Sequence, residues 1–255
     1  MVTIPIAMEP LRLCLWSGPR NVSTALMYSF ARRTDTRVVD EPLYAHYLRV
    51  SGAEHPGRDD VLAAQDDDGE RVVREVVLGP CDRPVLFLKL MAHHLVDLDL
   101  GFLDQTVNVF LIRHPAEVLA SLVNQIPEPN LADTGMATQA AMLADLQERG
   151  QTPVVIDSRE LLLDPPGVLA QLCGRLGLDY DEAMLSWPEG GLEEDGAWAP
   201  HWYHNIHRST GFLPYRPKTS PFPERLQPLL EECRPHYDRL FAHALRAEVW
   251  RSKDA

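Results

Sequence analysis

The sequence is poor in lysine and rich in acidic residues. Lysine occurs only at positions 89, 218 and 253, and the rest of its 24 basic residues are arginines. There are 37 acidic residues, so the formal net charge is −13. A surface for duplex nucleic acid needs a basic footprint, and this balance argues against one. A small anion can still bind where arginines and helix N-termini converge.

The sequence also lacks paired cysteines and long apolar runs. Its four cysteines are scattered and form no CxxC pair, which argues against a zinc site or a disulfide framework and fits a reducing cytosol. No stretch approaches the roughly 18 apolar residues of a membrane-spanning helix, and the N-terminus does not resemble a signal peptide. We therefore expect a cytoplasmic protein that binds neither membranes nor nucleic acid.

Short apolar segments alternate with helical patterns along the chain. Strands are predicted at 11–16, 36–40, 85–88, 107–112 and 153–157, and helices at 23–33, from 44, at 91–98, from 115, and at 159–163, 166–176, 223–232 and 235–249. This alternation predicts an α/β fold of three layers, in which helices flank a mostly parallel central sheet. We expect one domain over residues 1–255.

Two segments depart from this alternation. Residues 54–70 are polar and rich in Gly and Asp, which predicts an exposed excursion. Residues 186–222 combine Trp, His, Tyr, Pro and Gly with little periodicity, which predicts an ordered irregular loop or lid. Ligands of parallel sheets lie beyond the carboxyl ends of the strands. At those ends the sequence places residues 17–24, Asp40, Glu41, Lys89 and Arg113.

The first of these strand ends leads into a candidate phosphate loop, within LCLWSGPRNVSTALMYSF. A tight turn between a strand and a helix directs backbone N–H groups, here those of residues 20–24, towards one point. Arg20 adds a bidentate donor, and Ser23 and Thr24 add hydroxyl groups. The segment has neither the second glycine nor the lysine of a Walker A loop, which speaks against an ordinary ATPase. Alternatively, Ser23 is only the N-cap of the helix.

A second candidate anion site lies in VNVFLIRHPAEVLASL. Arg113 stands at the end of the predicted strand, and Ser121 follows on the next helix. Together the two side chains could hold one anion. The alternative is an Arg113–Glu117 ion pair beside a solvated serine.

Taken in order, these motifs resemble the superfamily of sulfotransferases that use the sulfate donor PAPS (3′-phosphoadenosine 5′-phosphosulfate), a group with a P-loop-like fold. The segments WSGPRNVSTALMYSF, VVDEPLYAHYL and VIDSRELLLDPPGVLAQLCGRLGLDYDEAML carry the resemblance over most of residues 11–185, and they are closest to a bacterial sulfotransferase-like subfamily. The resemblance implies that a phosphosulfate loop holds the 5′ end of PAPS and that an arginine and a serine bind its 3′-phosphate. The donor-binding residues it implies are Gly18, Arg20, Asn21, Val22, Ser23, Thr24, Arg113 and Ser121, with Arg208, Thr210 and Gly211 as the counterpart of a C-terminal loop.

The chain departs from that family at three positions. Arg20 stands where many members have lysine in the phosphosulfate loop. Lys89 matches the lysine at the end of the third strand of the cytosolic branch, but Met91 replaces the catalytic histidine of that branch. The C-terminal basic loop is matched only loosely, by residues 208–211.

The chemistry that follows is an in-line transfer aided by positive charge and needing no metal. Arg20 and Lys89 are predicted to neutralise the transferred group. Glu41, just beyond a strand end, is the first candidate for general base, and His46, His93 and His94 are the alternatives. Glu41 could instead pair with Arg20 or Arg113.

The histidines at 201, 204 and 207 suggest an acceptor pocket rather than a metal site. With Trp198, Trp202 and Tyr203 they could line such a pocket or fill a small aromatic core beneath the loop.

The predicted function is transfer of a sulfuryl group from PAPS to a small-molecule acceptor, a hydroxyl compound by preference. A small-molecule kinase that uses ATP and a catalytically silent nucleotide-binding protein are the alternatives. The C-terminal helix could cap the core or pair with a second copy, so the sequence leaves a monomer and a homodimer open.

Overall fold

The computed structural model of the chain describes residues 9–217 and 220–248. Lys218, Lys253 and the predicted helix end at 249 lie outside these residues. The strands are β1 (Leu11–Ser17), β2 (Thr36–Asp40), β3 (Val85–Met91), β4 (Val107–Ile112) and β5 (Val154–Asp157). The α-helices are α1 (Ser23–Ala31), α2 (Tyr44–Ser51), α3 (Arg58–Ala64), α4 (Gly69–Val72), α5 (Pro115–Leu122), α6 (Leu131–Thr134), α7 (Met136–Glu148), α8 (Ser158–Leu163), α9 (Pro165–Leu176), α10 (Ala199–Trp202) and α11 (Gln227–Phe241).

The five strands form one sheet in the order β2-β3-β1-β4-β5, and every neighbouring pair is parallel. The predicted three-layer α/β fold is confirmed. Parallel neighbours need crossover connections, and the helices between the strands supply them. All five carboxyl ends therefore lie along one edge, and at that edge Ser17 is level with Met91 of β3 and Leu111 of β4.

Helices cover both faces of the sheet, as expected for strands that are apolar on both sides. On one face Leu13, Leu15 and Phe87 pack against α1, α8 and α9. On the other face Trp16 and Phe110 pack against α7 and α11. Trp16 also donates its indole N–H to Asn108 Oδ1 at 2.9 Å, so the polar group that it brings into the core is paired.

The excursion predicted at 54–70 is largely exposed, and it contains α3 and the start of α4. Two details of the sequence prediction are wrong. The strand predicted at 85–88 continues to Met91, because β1 pairs with it up to Ser17, and only a short 3₁₀ turn (Ala92–His94) follows in place of a helix at 91–98. The break predicted before Pro235 is absent, since α11 runs through this proline with Leu230, Cys233, Tyr237 and Leu240 buried along it.

The segment 186–222 is largely irregular, as predicted, and the structure describes it except at 218 and 219. Its start is held by an antiparallel bridge between Ser186 and Gly211. Its middle is anchored by Trp198 and Tyr203, which are buried with Tyr44, Leu48 and Val61. Within residues 9–217 and 220–248, no helix has the length and apolar character needed to cross a bilayer.

Replacing Phe87 with alanine should test the packing of β3, the strand beside the central β1. The Phe87 ring is fully buried and stacks on Phe30 with ring centroids 4.5 Å apart. Removing it should lower the free energy of unfolding by about 3–5 kcal/mol. Urea denaturation measures the loss, and Leu213→Ala, at a side chain that is 68% exposed, should change it by no more than about 0.5 kcal/mol. Equal losses in the two variants would contradict this core.

Candidate functional site

Two arginines meet at the carboxyl ends of β1 and β4. Arg20 lies in the loop after β1 and donates from Nε to Ser121 Oγ on α5 at 2.9 Å. Arg113, just after β4, donates from Nη1 to the Arg20 carbonyl oxygen at 2.9 Å. The structure thus brings together three of the residues predicted to bind the donor.

Arg20 has an unusual backbone conformation and a lowered side-chain pKa. Its φ is 58°, a left-handed conformation that is uncommon for residues other than glycine and is often found at functional sites. Burial and then the nearby charge of Arg113 lower the pKa of Arg20. Like charges held this close favour a bound anion between them. Both terminal nitrogens of Arg20 lack a hydrogen-bond partner within the described part of the chain.

Arg113 is oriented by a carboxylate on the next helix. Its Nε donates to Glu117 Oε2 at 2.8 Å, while Glu117 Oε1 accepts the Tyr215 hydroxyl at 2.7 Å. The ring of Tyr215 also lies 5.6 Å from the Arg159 guanidinium. The ion pair offered as the alternative is therefore present. The solvated serine is not, since Ser121 accepts from Arg20.

The N-terminal end of α1 is open towards this site. Val22 is the N-cap, and no side chain caps the helix, so Ser23 is not the N-cap that the alternative required. Val22 N–H is bonded to Asn21 Oδ1 at 3.0 Å. The hydroxyls of Ser23 and Thr24 have no hydrogen-bond partner among residues 9–217 and 220–248. Free N–H groups at the start of a helix favour an anion.

Close contacts on both sides hold the loop in place. A Cβ on Gly18 would lie 2.4 Å from the Thr134 carbonyl oxygen, so only glycine fits here. Asn21 donates to Leu111 O at 2.9 Å and accepts from the Ser158 hydroxyl. The loop is therefore clamped between α6 and the ends of β4 and β5.

A second polar cluster lies at the ends of β2 and β3. Lys89 Nζ donates to Asp40 Oδ1 at 2.8 Å, to Glu41 Oε1 at 2.5 Å and to Tyr203 Oη at 2.6 Å. Lys89 is almost wholly buried, whereas the Glu41 side chain is 11% exposed. Glu41 thus pairs with Lys89 and with neither arginine. Since β3 lies between β2 and β1, the strand ends that carry Glu41 and Arg20 are two strand spacings, about 10 Å, apart across the sheet, and Lys89 is on the strand between them.

The electrostatics of this cluster follow from its burial. Burial raises the pKa of Glu41, and the nearby Lys89 opposes that rise. The pKa of Lys89 is well above its ordinary value because the surrounding carboxylates outweigh the effect of burial. Glu41 also has a φ of 38°. A strained carboxylate with a shifted pKa beside a second charged group is typical of a functional site.

The three histidines considered as alternative bases have different surroundings. His46 is saturated, because Nε2 contacts Val96 O at 2.8 Å and Nδ1 accepts from Gly69 N–H at 3.1 Å. His94 is stacked between Tyr44 and Tyr47, at centroid distances of 4.8 and 4.7 Å.

His93 borders the phosphate loop. Its backbone nitrogen and Gly18 Cα each lie 3.7 Å from the point where a Cβ on Gly135 would be. Burial, and then His55, lower the pKa of His93 to about 4. The imidazole of His93 is therefore neutral at pH 7.

The other predicted residues lie elsewhere. Arg208 is exposed and donates to His204 O and to Asn205. Thr210 and Gly211 pair with residues 186 and 187. The hydrogen bonds of these three are thus within the irregular segment, whereas Tyr215 of the same segment reaches Glu117 beside Arg113. In the part of the chain that the structure describes, no three His, Cys, Asp or Glu side chains are grouped to hold a metal ion.

Sequence reasoning missed three members of these clusters. The sequence predicts a role for Glu41 but none for Asp40, which is the last residue of the strand that Glu41 follows. Tyr203 was assigned to the wall of a pocket, and Tyr215 was not considered. Their partners are 49 to 163 residues away in the sequence, so no local spacing indicates them.

Comparison with known families and structures agrees with this fold. Residues 11–244 match the model of a family described as a sulfotransferase domain. The sulfotransferase domain of the olefin synthase from Synechococcus PCC 7002 has a TM-score of 0.53 at 20% identity, covering 94% of this chain and 98% of that domain. A sulfotransferase from Alicyclobacillus acidocaldarius has a TM-score of 0.51 at 15% identity, covering 96% and 100%. At such identities the likeness shows the fold alone.

Two Arabidopsis thaliana proteins are similar in sequence. They are named branched-chain-amino-acid aminotransferase-like protein 2 and protein 1, and each is 38% identical to this chain. The aligned regions cover 89% and 92% of this chain but only 41% and 42% of those proteins. The chain therefore spans about two-fifths of the length of these curated relatives.

Replacing Gly18 with alanine should displace the loop. The added methyl group would collide with backbone at Thr134, and overpacking of this kind costs about 1–3 kcal/mol in the free energy of unfolding. Urea denaturation measures that loss. As the control, Gly174→Ala places its methyl group in open space on α9 and should stabilise by about 0.5–1 kcal/mol. A neutral or stabilising Gly18→Ala would contradict the close contact.

Proposed function

Because the chain belongs to the sulfotransferase domain family, we propose that it transfers a sulfuryl group from PAPS to a hydroxyl group of a small-molecule acceptor. The observation that carries the proposal is the meeting of Arg20, Arg113 and Ser121 at the open end of α1. These residues are brought together from positions up to 101 apart, and they combine two fixed positive charges with unpaired donors.

The donor site fits a ligand with two anionic ends. The N–H groups at the start of α1, the hydroxyls of Ser23 and Thr24 and the free nitrogens of Arg20 would hold the 5′-phosphosulfate. Arg113 and Ser121 would hold the 3′-phosphate, and Arg113 is kept in orientation by Glu117. This local concentration of donors reconciles binding of a polyanion with a net charge of −13.

Glu41 is proposed as the general base, with Lys89 fixing it. One oxygen of Glu41 is bonded to Lys89, and the other has no hydrogen-bond partner within the described residues. In the reaction the acceptor hydroxyl gives its proton to Glu41, and its oxygen forms a bond to sulfur. The bond between sulfur and the phosphate oxygen breaks, and adenosine 3′,5′-bisphosphate leaves with the electron pair. Arg20 stabilises the charge that develops on this leaving group.

A kinase function has less support. The loop lacks a Walker lysine. Lys89 cannot replace it, because all three of its N–H groups donate to other side chains.

The names of the plant relatives bear on the acceptor only as a hypothesis. These aminotransferase-like proteins are more than twice as long as this chain. An acceptor derived from an amino acid is worth including in a screen.

Replacing Arg113 with alanine should weaken binding selectively. Adenosine 3′,5′-bisphosphate should bind about 10- to 100-fold more weakly, because a charge-assisted contact to the 3′-phosphate is lost. Binding of 5′-AMP, which has no 3′-phosphate, should stay within about twofold of wild type. Calorimetric titration with both ligands and with Mg-ATP measures the difference.

The matched control for this titration is Arg32→Ala, at an exposed arginine beyond the far end of α1. It should leave all three affinities unchanged. A wild-type preference for Mg-ATP, or no binding of the bisphosphate, would overturn the sulfotransferase proposal and favour a kinase or a silent protein.

Replacing Glu41 with glutamine should abolish transfer without loss of donor binding. Glutamine keeps an oxygen for Lys89 but accepts no proton, so kcat should fall about 100-fold or more, while bisphosphate affinity stays within about twofold. The wild-type rate should fall as the pH drops through the raised pKa of Glu41, since the base is active only when ionised.

Single-turnover transfer of labelled sulfate from PAPS to an acceptor found by screening measures the rate of this variant. Glu54→Gln, an exposed carboxylate, serves as its control. Full activity of Glu41→Gln would show that Glu41 is not the general base and would make His93 the next candidate.

A further inference from the structure

Asp40 and Tyr203 lie behind the Lys89–Glu41 pair, and the proposed reaction gives them no role. We propose that both are positioning residues: they fix Lys89 so that it holds Glu41, and they make the base depend on the docking of residues 196–203. This inference rests on the proposed function, which makes Glu41 the base.

Lys89 is saturated by its neighbours. An ammonium group has three N–H donors, and these reach Asp40, Glu41 and Tyr203 at 2.5–2.8 Å. The side chain is 2% exposed, so water cannot replace a lost partner. Lys89 therefore acts through Glu41, and it could bind the sulfuryl group only by giving up one of these contacts.

The Tyr203 hydroxyl is saturated as well. It donates to Asp40 Oδ2 at 2.7 Å, and it accepts from Lys89 and from Trp198 Nε1, the latter at 3.1 Å. One donor and two acceptor positions are all that a hydroxyl offers. The site is thus built for a tyrosine, and phenylalanine would fill its volume without its bonds.

Asp40 connects the sheet to the irregular segment. Its Oδ1 faces Lys89, while its Oδ2 accepts from Tyr203 and from Gly196 N–H at 3.3 Å. All these partners except Lys89 come from a segment more than 150 positions later in the chain. Because Trp198 and Tyr203 are buried against α2, docking of that segment and completion of the cluster are one event.

Four charged or titratable side chains of the described residues surround Glu41 or its partner Lys89. Asp40 precedes it on β2, Lys89 faces it from β3, Tyr203 faces Lys89 and Asp40, and Tyr44 lies on α2. Asp40 raises the pKa of Glu41 and Lys89 lowers it. Removing the Tyr203 hydroxyl leaves more of the Asp40 charge unscreened, which favours the protonated form of Glu41. Neutralising Asp40 has the opposite effect.

The test is a carboxyl ¹³C NMR titration of Glu41 in the full chain, with its signal assigned from Glu41→Gln. In Tyr203→Phe the Glu41 midpoint should move to higher pH than in wild type. In Asp40→Asn it should move to lower pH. Tyr180→Phe is the control, because the Tyr180 hydroxyl is buried without a partner among the described residues; it should leave the midpoint unchanged.

The kinetic counterpart separates positioning from donor binding. In Tyr203→Phe kcat should fall about tenfold, the size expected when Lys89, which fixes Glu41, loses its buried hydrogen bond to Tyr203, while the KM for PAPS stays within about twofold. A Glu41 midpoint that is the same in wild type and both variants, at unchanged thermal stability, would overturn the inference. The titration needs no acceptor, so failure of the sulfotransferase proposal, read from bisphosphate binding, remains a separate outcome.

Discussion

All five strands run in the same direction, and the rest of the structure depends on this constraint. A parallel sheet places every strand's carboxyl end, and every helix start that follows, along a single edge. The uncapped start of α1, the arginines after β1 and β4 and the carboxylates after β2 therefore share one edge without any special arrangement of loops. With β3 between them, the carboxyl ends of β1 and β2 lie about 10 Å apart.

The proposed polyanion site requires that an acidic protein concentrate its positive charge in one place. Arg20 and Arg113 achieve this by close approach, and burial followed by their mutual repulsion lowers the pKa of Arg20. Two of the hydrogen-bond acceptors of these arginines, Ser121 and the Arg20 carbonyl oxygen, are neutral, so they leave the positive charge in place. Glu117 is the exception, and it contacts a single nitrogen of Arg113. It thereby fixes the direction of the guanidinium group and leaves other donors for a ligand.

The sequence predicts the sheet and the residues of the arginine cluster, because both depend on local signals. Apolar runs predict β2 and β4 with their observed bounds. The strand ends predict Arg20 in one anion site and Arg113 with Ser121 in a second, and the structure joins the two through the Arg20–Ser121 hydrogen bond. Helix α7 was missed because its alanines lie at both buried and exposed positions and Gln139 lies in its buried face, so its hydropathy shows no clear apolar stripe. The run of α11 through Pro235 was missed because burial along the helix outweighs one lost hydrogen bond. Local patterns hold no information on such tertiary packing.

The second polar cluster, around Lys89, also shows that local patterns do not reveal tertiary contacts between single residues. The end-of-strand positions of Glu41 and Lys89 placed both at the correct edge, but the sequence did not show that they pair with each other. That pairing requires the register of β2 against β3, in which Asp40 is level with Lys89. It also requires Tyr203 from the irregular segment. Had Glu41 paired with Arg20 or Arg113, its carboxylate would have neutralised the anion site, and neither group could have served its proposed purpose. Because β3 lies between the strands that carry Glu41 and Arg20, the carboxylate of Glu41 pairs with Lys89 on β3 and does not neutralise the guanidinium groups at the same edge of the sheet.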